Sequence, residues 1–320
     1  MEQGRRGLAR DGSNRPGSNL PIRGAERGRR SWVGAKGGIV YKHAQEVARG
    51  ERFKFGENWT RFLGALDDER IFEAEESLKQ MLKVENLAGK RFLDIGSGSG
   101  LFSLVARRLG AHVHSFDYDP QSVACTAELK SRYFPNDINW TIEQASVLDV
   151  EYLNSLGEFD IVYSWGVLHH TGNMWQALEN VQGLVRPRGG LLAIAIYDDA
   201  GVKSVVWRRI KKLYNDLPQS LKLPFALCIV ALREARMLLL SLLALQPQRY
   251  IQDWTQYRKN RGMSRWYDYI DWIGGYPFEV AKPEEIIAFY KVRGFVLVDS
   301  TISPSANNEF VFRKKDNTQL

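Results

Sequence analysis

The chain has 320 residues, of which 44% are hydrophobic, 25% are charged and only two are cysteines; this excludes a disordered chain, a disulfide scaffold and a cysteine-rich zinc site. The net charge of +7 is uneven, because residues 1–30 contribute +5 and residues 201–265 contribute +10. The remainder is net acidic, whereas an enzyme that acts on nucleic acid more often carries a basic face on its main domain.

Residues 1–30 are predicted to form a disordered basic tail. They are rich in Gly, Arg, Ser and Asn, and such a sequence buries too little apolar area to offset the loss of chain entropy on folding. The tail is interpreted either as a functional basic arm or as a vector-derived or mis-annotated start. It lacks the apolar core that a signal peptide needs, so the expected location is cytoplasmic.

Residues 31–88 are predicted to form an N-terminal helical region. Apolar side chains recur at spacings of three, four and seven from Phe62 to Leu82, which is the period of a helix with one buried face. The helical pattern covers residues 40–87, and its main part follows an aromatic cluster of Phe53, Phe55 and Trp59.

From residue 89 the chain alternates short apolar strands with helices. Strands are predicted at Arg91–Ile95, His112–Asp117, Asn139–Gln144, Phe159–Ser164, Leu191–Tyr197, Phe295–Ile302 and Glu309–Arg313. Helices are predicted at Leu101–Leu109, Pro120–Tyr133, Met174–Leu184 and Pro283–Arg293. Strands separated by helices indicate βαβ units, so an α/β fold with a doubly wound, mostly parallel sheet is predicted over residues 89–199 and 266–315.

Residues 200–265 interrupt this alternation with a helical, basic and aromatic insertion. Its most apolar stretch, Leu221–Leu245, is divided by charged residues, and the longest uncharged run has the 12 residues from Met237 to Gln248. A spanning helix needs roughly 18 or more apolar residues. The insertion is therefore predicted to be a cap over the site, a homodimer interface or a helix in peripheral contact with a membrane.

The strongest motif is a glycine loop, Asp94-Ile95-Gly96-Ser97-Gly98-Ser99-Gly100, between a predicted strand and a predicted helix. Glycines allow a sharp turn and the close approach of a ligand, and the free N–H groups of the helix favour a negative group. Asp117 ends the next strand 21 residues after Gly96, close to the spacing of an acid that binds ribose hydroxyls. A dinucleotide-binding dehydrogenase would need glycine at position 101, where this chain has leucine.

The G-x-G-x-G pattern, with Asp94 two residues before it, resembles the class I S-adenosylmethionine-dependent methyltransferase family. By this resemblance ten residues are expected to bind the cofactor S-adenosyl-L-methionine: Asp94, Gly96, Ser97, Gly98, Gly100, Asp117, Tyr118, Ser146, Val147 and Trp165. The resemblance implies that the first acid and the glycines hold the methionine moiety, that Asp117 binds both ribose hydroxyls and that Tyr118 packs on the adenine. It also implies a seven-stranded sheet of order 3-2-1-4-5-7-6 with the last strand antiparallel.

Four further segments are similar to a group of bacterial methyltransferases that mostly have no assigned substrate. These segments are Phe55–Trp59, His169–Trp175, Trp272–Pro277 and Asn307–Phe310, of which the third is predicted to be a loop rich in glycine and aromatic residues. The similarity does not name an acceptor.

His169 and His170 follow the fourth predicted strand, on the side where ligands lie in this fold. Histidine suits general base catalysis near neutral pH, so one of the two is predicted to be catalytic, with His170 favoured over His169. The alternative is that one histidine caps the next helix and packs beneath the cofactor. No metal site is expected, because the chain has only five histidines and no second cluster of ligands accompanies this pair.

The sequence therefore predicts methyl transfer from S-adenosylmethionine to oxygen, nitrogen or carbon of a small-molecule, lipid-like or glycan-type acceptor. An RNA methyltransferase is the first alternative, and the acidic main domain with few aromatic residues near the site argues against a nucleic-acid partner. The second alternative is a non-catalytic module that binds S-adenosylmethionine, and the complete cofactor motif argues against it.

Overall fold

The computed structural model describes residues 38–255, 265–304 and 306–315. The predicted tail, residues 1–30, lies outside the described residues, as do residues 256–264 of the predicted insertion. Within the described ranges, helices surround one central sheet.

The central sheet has seven strands in the order β3-β2-β1-β4-β5-β7-β6. The strands are β1 Arg91–Ile95, β2 His112–Asp117, β3 Trp140–Gln144, β4 Ile161–Trp165, β5 Leu191–Tyr197, β6 Phe295–Thr301 and β7 Asn307–Lys314. β7 runs antiparallel to β5 and β6, and the other neighbouring pairs are parallel. The predicted fold class, strand order and antiparallel last strand are confirmed.

Helices cover both faces of this sheet. Helix α1 covers residues 38–48, and the others are α2 Phe55–Gly64, α3 Asp68–Leu82, α4 Leu101–Arg108, α5 Pro120–Tyr133, α6 Val150–Leu156, α7 Met174–Gln182, α8 Val202–Asp216, α9 Gln219–Leu243, α10 Pro247–Thr255, α11 Arg265–Gly274 and α12 Pro283–Lys291. Apolar residues of α3, α4 and α5 pack on one face, and those of α6, α7 and α12 pack on the other. Strand β1 is buried from both sides, since Phe92 belongs to the first core and Leu93 to the second.

The N-terminal helical region consists of three helices with two breaks. Gly50 lies just after the first helix at a φ of +65°, a backbone conformation that a side chain disfavours. Asp67 begins the third helix, where its carboxylate accepts a hydrogen bond from the backbone N–H of Arg70 at 2.9 Å. Apolar periodicity continues across the breaks, which is why the pattern alone did not locate them.

One helix was not predicted from the sequence, and one predicted loop contains helix. Helix α6 begins directly after Asp149, whose carboxylate accepts a hydrogen bond from the Tyr152 N–H at 3.0 Å and caps the helix. The predicted loop Trp272–Pro277 is helical as far as Gly274, the last residue of α11. In both places a residue type that favours turns stands at a helix end.

Helices α8 to α11 form a lid, by which we mean residues 202–255 and 265–274. An apolar cluster of Phe53, Tyr214, Ala226, Ile270 and Ile273 attaches the lid to the segment that precedes α2. The lid helices α8, α9 and α11 contact one another, and α11 also contacts α2. None of the helices in the described ranges is both long enough and apolar enough to cross a bilayer.

Candidate cofactor and acceptor site

A cavity of about 1240 Å³ opens at the carboxyl ends of β1, β2, β4 and β5, beneath the lid. Ligands of doubly wound α/β sheets bind at this edge. Its strand-end half is formed by residues 94–99, 116–119, 145–149 and 163–167. Its lid half is formed by residues 39–59, by the lid helices and by the side chains of His170 and Tyr197.

The glycine loop is packed so closely that two of its positions exclude a side chain. Gly96 and Gly98 have φ angles of +75° and +56°. A Cβ at Gly96 would lie 2.4 Å from Val167 Cγ1, and a Cβ at Gly98 would lie 3.0 Å from Trp59 Nε1. The motif therefore presents bare backbone to the cavity, as the close approach of a ligand requires.

Gly100 is the one residue of the ten expected cofactor ligands that does not line the cavity. It turns the chain into α4 at a φ of +83°, and a Cβ there would lie 2.7 Å from Thr126 Cα in α5. Ser97 contacts the same residue, with 2.9 Å between the Ser97 and Thr126 hydroxyl oxygens. Contact between Gly100 and the cofactor thus stays a prediction, and what the structure shows for this glycine is the close packing of two helices.

Asp94 is buried at the base of the loop and is held by a chain of hydroxyl groups. The Ser103 hydroxyl donates to Asp94 Oδ2 at 2.5 Å and lies 2.6 Å from the Ser115 oxygen. The Trp140 indole N–H donates to Ser115 Oγ at 2.9 Å. Three secondary-structure elements thus orient one carboxylate at the cavity floor, where a fixed negative charge suits a cationic group of a ligand.

Asp117 joins the end of β2 to the glycine loop. Its Oδ2 accepts the N–H of Gly98 and its Oδ1 accepts the N–H of Asp119, each at 2.9 Å. Burial, followed by the negative charge of Asp119, raises the pKa of Asp117 to about 7. Each carboxylate oxygen has a second lone pair, so Asp117 can still accept two hydroxyl donors from the cavity.

The remaining predicted residues form a flat, partly apolar wall. Tyr118 lies beneath the Arg52 guanidinium, whose carbon is 4.8 Å from the ring centroid. The Trp165 indole N–H donates to Glu309 Oε1 at 2.7 Å, which fixes that ring at the cavity edge. Ser146 and Val147, which follow β3, line the same cavity, so both polar and apolar groups are available to a planar heterocycle.

The structure separates the two adjacent histidines. His170 lines the cavity, and its Nδ1 lies 2.6 Å from the Pro277 carbonyl oxygen, so Nδ1 carries the proton and Nε2 keeps its lone pair. Burial, followed by the positive charge of Lys211, lowers the pKa of His170 to about 3. The expectation of a histidine that titrates near neutral pH is therefore wrong for His170.

His169 lies behind this wall and is not among the residues that line the cavity. It is completely buried, its Nδ1 accepts the Tyr197 N–H at 3.3 Å, and its ring centroid is 4.0 Å from that of Tyr197. Burial also lowers the pKa of His169 well below its usual value. These contacts are those of a packing residue, and the prediction of a catalytic histidine now concerns His170 alone.

Sequence reasoning missed three polar residues of the lid half. Arg52 donates to the backbone carbonyl of His170 at 2.9 Å and so supports the histidine loop. Asp271 accepts a hydrogen bond from the Asn58 amide at 2.9 Å, and burial followed by the charge of Asp268 raises the pKa of Asp271 well above its usual range. A signal was present, because Asp271 immediately precedes the segment Trp272–Pro277 that the family resemblance singled out.

Lys211 completes the buried charges near the lid half. It is completely buried, its ammonium group donates to the Trp272 carbonyl oxygen, and its nitrogen lies 4.9 Å from the ring centroid of Phe278. Burial lowers the pKa of Lys211 to about 7, and the negative charge of Asp271 opposes that change. Asp271 lines the cavity, whereas Lys211 lies behind the cavity-lining rings of Tyr197 and Trp272. Buried groups with displaced pKa values next to a cavity are typical of functional sites.

Comparisons with known proteins agree with this site. Residues 93–192 match a family described as "Methyltransferase domain". The chain is 30% identical over 168 residues to a tRNA U34 carboxymethyltransferase of Methylococcus capsulatus, and the aligned region covers 51% of this chain and 51% of that protein. It is 32% identical over 105 residues to a ubiquinone biosynthesis O-methyltransferase of Xanthomonas euvesicatoria, which covers 33% of this chain and 42% of that protein. The chain spans about half or less of the curated relatives that it matches.

A solved structure of an O-methyltransferase family protein from Burkholderia thailandensis shows the same fold. It superposes with a TM-score of 0.50 at 11% identity, covering 91% of this chain and 71% of that chain. The region matched by the family, residues 93–192, contains most of β1, all of β2, β3 and β4, and the glycine loop, with nearly all of the strand-end half of the cavity. The chain therefore contains a class I S-adenosylmethionine-dependent methyltransferase domain.

Proposed function

We propose that this protein transfers a methyl group from S-adenosylmethionine to a small-molecule acceptor that has an aromatic or apolar part. The observation that carries the proposal is that one cavity joins the cofactor motif to an aromatic lid half. Both reactants can thus lie in one water-poor space, which is what methyl transfer from an activated donor needs.

The strand-end half fits the cofactor by chemistry and by shape. Asp94 is a fixed anion for the amino group of the methionine part, and the loop at Gly96 and Gly98 has no side chain in the way. Asp117 retains acceptor capacity for ribose hydroxyls, and Tyr118 lines the cavity beside it, where its ring can pack against adenine. Bound there, S-adenosylmethionine supplies a methyl group that its sulfonium already activates.

The lid half fits an acceptor with a flat or apolar body and one nucleophilic group. Seven aromatic side chains line it: Phe53, Phe55, Trp59, Tyr197, Trp207, Tyr269 and Trp272. Beside them, His170 presents a neutral imidazole and Asp271 a carboxyl group whose pKa is raised. We infer that His170 orients the acceptor through a hydrogen bond and that Asp271 removes its proton, because a base with a raised pKa is the better match to neutral pH.

Acceptor classes are distinguished by where a labelled methyl group goes. The protein is incubated with S-adenosylmethionine carrying a tritiated methyl group and with an extract of cells that make the protein. The extract is divided beforehand into organic-soluble metabolites, total RNA and protein. We expect label in the metabolite fraction, and then identification of the product by mass spectrometry.

Two outcomes contradict the proposal in different ways. Label only in RNA would show an RNA methyltransferase, an alternative that the similarity to a tRNA-modifying enzyme makes worth testing. Binding of S-adenosylhomocysteine without label in any fraction, across several extracts, would indicate a non-catalytic module. The variant Asp271→Asn is the matched control, since it should retain cofactor binding and lose most of the incorporated label.

A further inference from the structure

The far end of helix α9 exposes leucines that nothing in the described chain covers. We name the leucine tip as residues 238–245, the last turns of α9 and the turn into α10. Six leucines lie in it with between 41% and 87% of their surface exposed: Leu238, Leu239, Leu240, Leu242, Leu243 and Leu245. An exposed apolar patch of this density on a folded protein indicates a surface with a partner.

We propose that the leucine tip inserts into the interfacial layer of an anionic lipid bilayer. At about 100° per helical residue, Leu238, Leu239, Leu240, Leu242 and Leu243 cover an arc of about 200°. A seam against one partner helix needs an apolar stripe of only about 100°. An arc twice as wide is better covered by the boundary between headgroups and acyl chains of a bilayer, because lipids contact the end of the helix from several directions.

The charges around the leucine tip favour an anionic surface. Arg236 and Arg249 stand at either end of the uncharged run from Met237 to Gln248. The segment 235–252 contains no aspartate or glutamate, and the whole insertion 201–265 has thirteen basic residues and three acids. Anionic headgroups attract such a cluster, and the attraction adds to the burial of the leucines.

The base of the tip is held in a fixed shape by hydrogen bonds around Glu234. Its carboxylate accepts from Arg265 Nη2 at 3.1 Å, from the Tyr250 hydroxyl at 2.9 Å and from the Trp254 indole N–H at 3.0 Å. The Tyr269 hydroxyl also donates to this carboxylate. Burial opposes ionisation, but the hydrogen bonds from Tyr269, Tyr250 and Arg265 lower the pKa of Glu234 to about 2. The α9–α10 hairpin is therefore tied to α11, and the charge of Glu234 is paired with that of Arg265.

The opposite end of α9 is anchored on the protein, so the tip projects from the lid. Within α9, all of whose residues are described, Ala226 is the buried residue, and Phe225, Ile229 and Val230 pack on the cluster that attaches the lid. Between anchor and tip, Leu232 and Met237 line the cavity. If the proposed function holds, an amphipathic acceptor can pass along α9 from the bilayer into the lid half.

Vesicle co-sedimentation of the full chain tests this docking without any cofactor. Vesicles contain phosphatidylglycerol and phosphatidylcholine in equal parts, and vesicles of phosphatidylcholine alone serve for comparison. We expect the protein to sediment with the anionic vesicles and to be released partly by added salt. The double variant Leu239→Glu/Leu242→Glu should lower the partition coefficient by at least about tenfold.

The matched control places the same charges on exposed apolar residues outside the lid. Ile138 and Val292 are 91% and 79% exposed, so Ile138→Glu/Val292→Glu should sediment like the unaltered protein. Far-UV circular dichroism and thermal unfolding should be the same for all three proteins, because each substituted side chain is already in solvent. Equal sedimentation of the two double variants would overturn the proposal.

A probe at the tip reports the contact directly. Cys228 is exposed and Cys125 is buried, so a Cys228→Ser/Leu243→Cys protein takes an environment-sensitive fluorophore at residue 243. We expect its emission to shift to the blue on addition of anionic vesicles, whereas a probe placed at Val292→Cys should not respond.

Two further results bear on the proposal. No sedimentation at low salt, with a dimer in analytical ultracentrifugation that Leu239→Glu/Leu242→Glu dissociates, would make a second copy of the chain the occupant and overturn membrane docking. Vesicle binding without methyl transfer would leave the docking intact and refute the proposed function. Methyl transfer without vesicle binding would refute the docking and leave the proposed function intact.

Discussion

Replacing Asp117 with asparagine should weaken the cofactor site and remove its dependence on pH. The Asp117 carboxylate accepts one backbone N–H on each oxygen at 2.9 Å, which leaves a lone pair on each for a ribose hydroxyl. Asparagine keeps the shape but has only one acceptor atom. Its NH₂ group must also face the N–H of either Gly98 or Asp119, and two donors that meet cannot bond.

The expected magnitude follows from the loss of one charged hydrogen bond to the ligand. Such a bond contributes about 1.5–3 kcal/mol, which corresponds to a rise in Kd of about 10- to 100-fold. The raised pKa of Asp117, about 7, adds a second signature in the unaltered protein. Because the ionised carboxylate is the better acceptor, the affinity of the unaltered protein for S-adenosylhomocysteine should fall as the pH falls through about 7. The affinity of Asp117→Asn should not change over the same range.

Titration calorimetry with S-adenosylhomocysteine measures both the rise in Kd and its dependence on pH. It is carried out at about pH 8 and about pH 5.5, because these two pH values lie on either side of the pKa of Asp117. Asp137→Asn is the matched control, because the Asp137 carboxylate also accepts a backbone N–H, at 2.8 Å from Asn139, but does not line the cavity. Equal affinities of the unaltered protein and Asp117→Asn at both pH values would refute the ribose assignment.

Three further changes act on the loop and on the lid half. Gly96→Ala places a Cβ 2.4 Å from Val167 Cγ1 at a φ of +75°. Calorimetry should therefore show that the free energy of unfolding is lower by at least about 1–3 kcal/mol. His170→Ala should lower turnover of the identified acceptor by about 10²-fold, through lost orientation of the acceptor, with S-adenosylhomocysteine affinity nearly unchanged; a collapse of that affinity instead would make the residue structural. In the unaltered enzyme, turnover should rise with pH through the raised pKa of Asp271; if the pH profile of Asp271→Asn keeps that rise, another group is the base.

The sheet and the glycine loop were predictable from local sequence. Strand and helix periods differ, so the alternation after residue 89 located all seven strands within a few residues. The glycines at 96 and 98 indicated a turn in which a side chain would clash with its neighbours. The sequence spacing from this turn to Asp117 implied two adjacent parallel strands. What local periodicity could not resolve were helix boundaries, since α6 begins at an aspartate that reads equally well as a turn residue.

The lid half of the cavity was decided by tertiary structure. His169 and His170 are neighbours in sequence, yet one ring lies in the core and the other at the cavity, because a single 3₁₀ turn points them in different directions. The low pKa of His170 arises from burial and from Lys211, which lies 41 residues further along the chain. Burial and long-range charge are properties of packing, and no pattern along the chain contains them.

The leucine-rich insertion shows the same division. The sequence alone showed that residues 200–265 are basic and too interrupted to span a bilayer, and it predicted that they are helical. It favoured a cap with some self-association over a membrane contact but could not decide between them, since each of these buries apolar helix faces. Only the folded chain shows which part of α9 packs on the protein: Ala226 is buried and Met237 lines the cavity, while the leucine tip faces solvent. Sequence therefore determined how apolar this helix is, and tertiary contacts decided which of its surface remains for a partner.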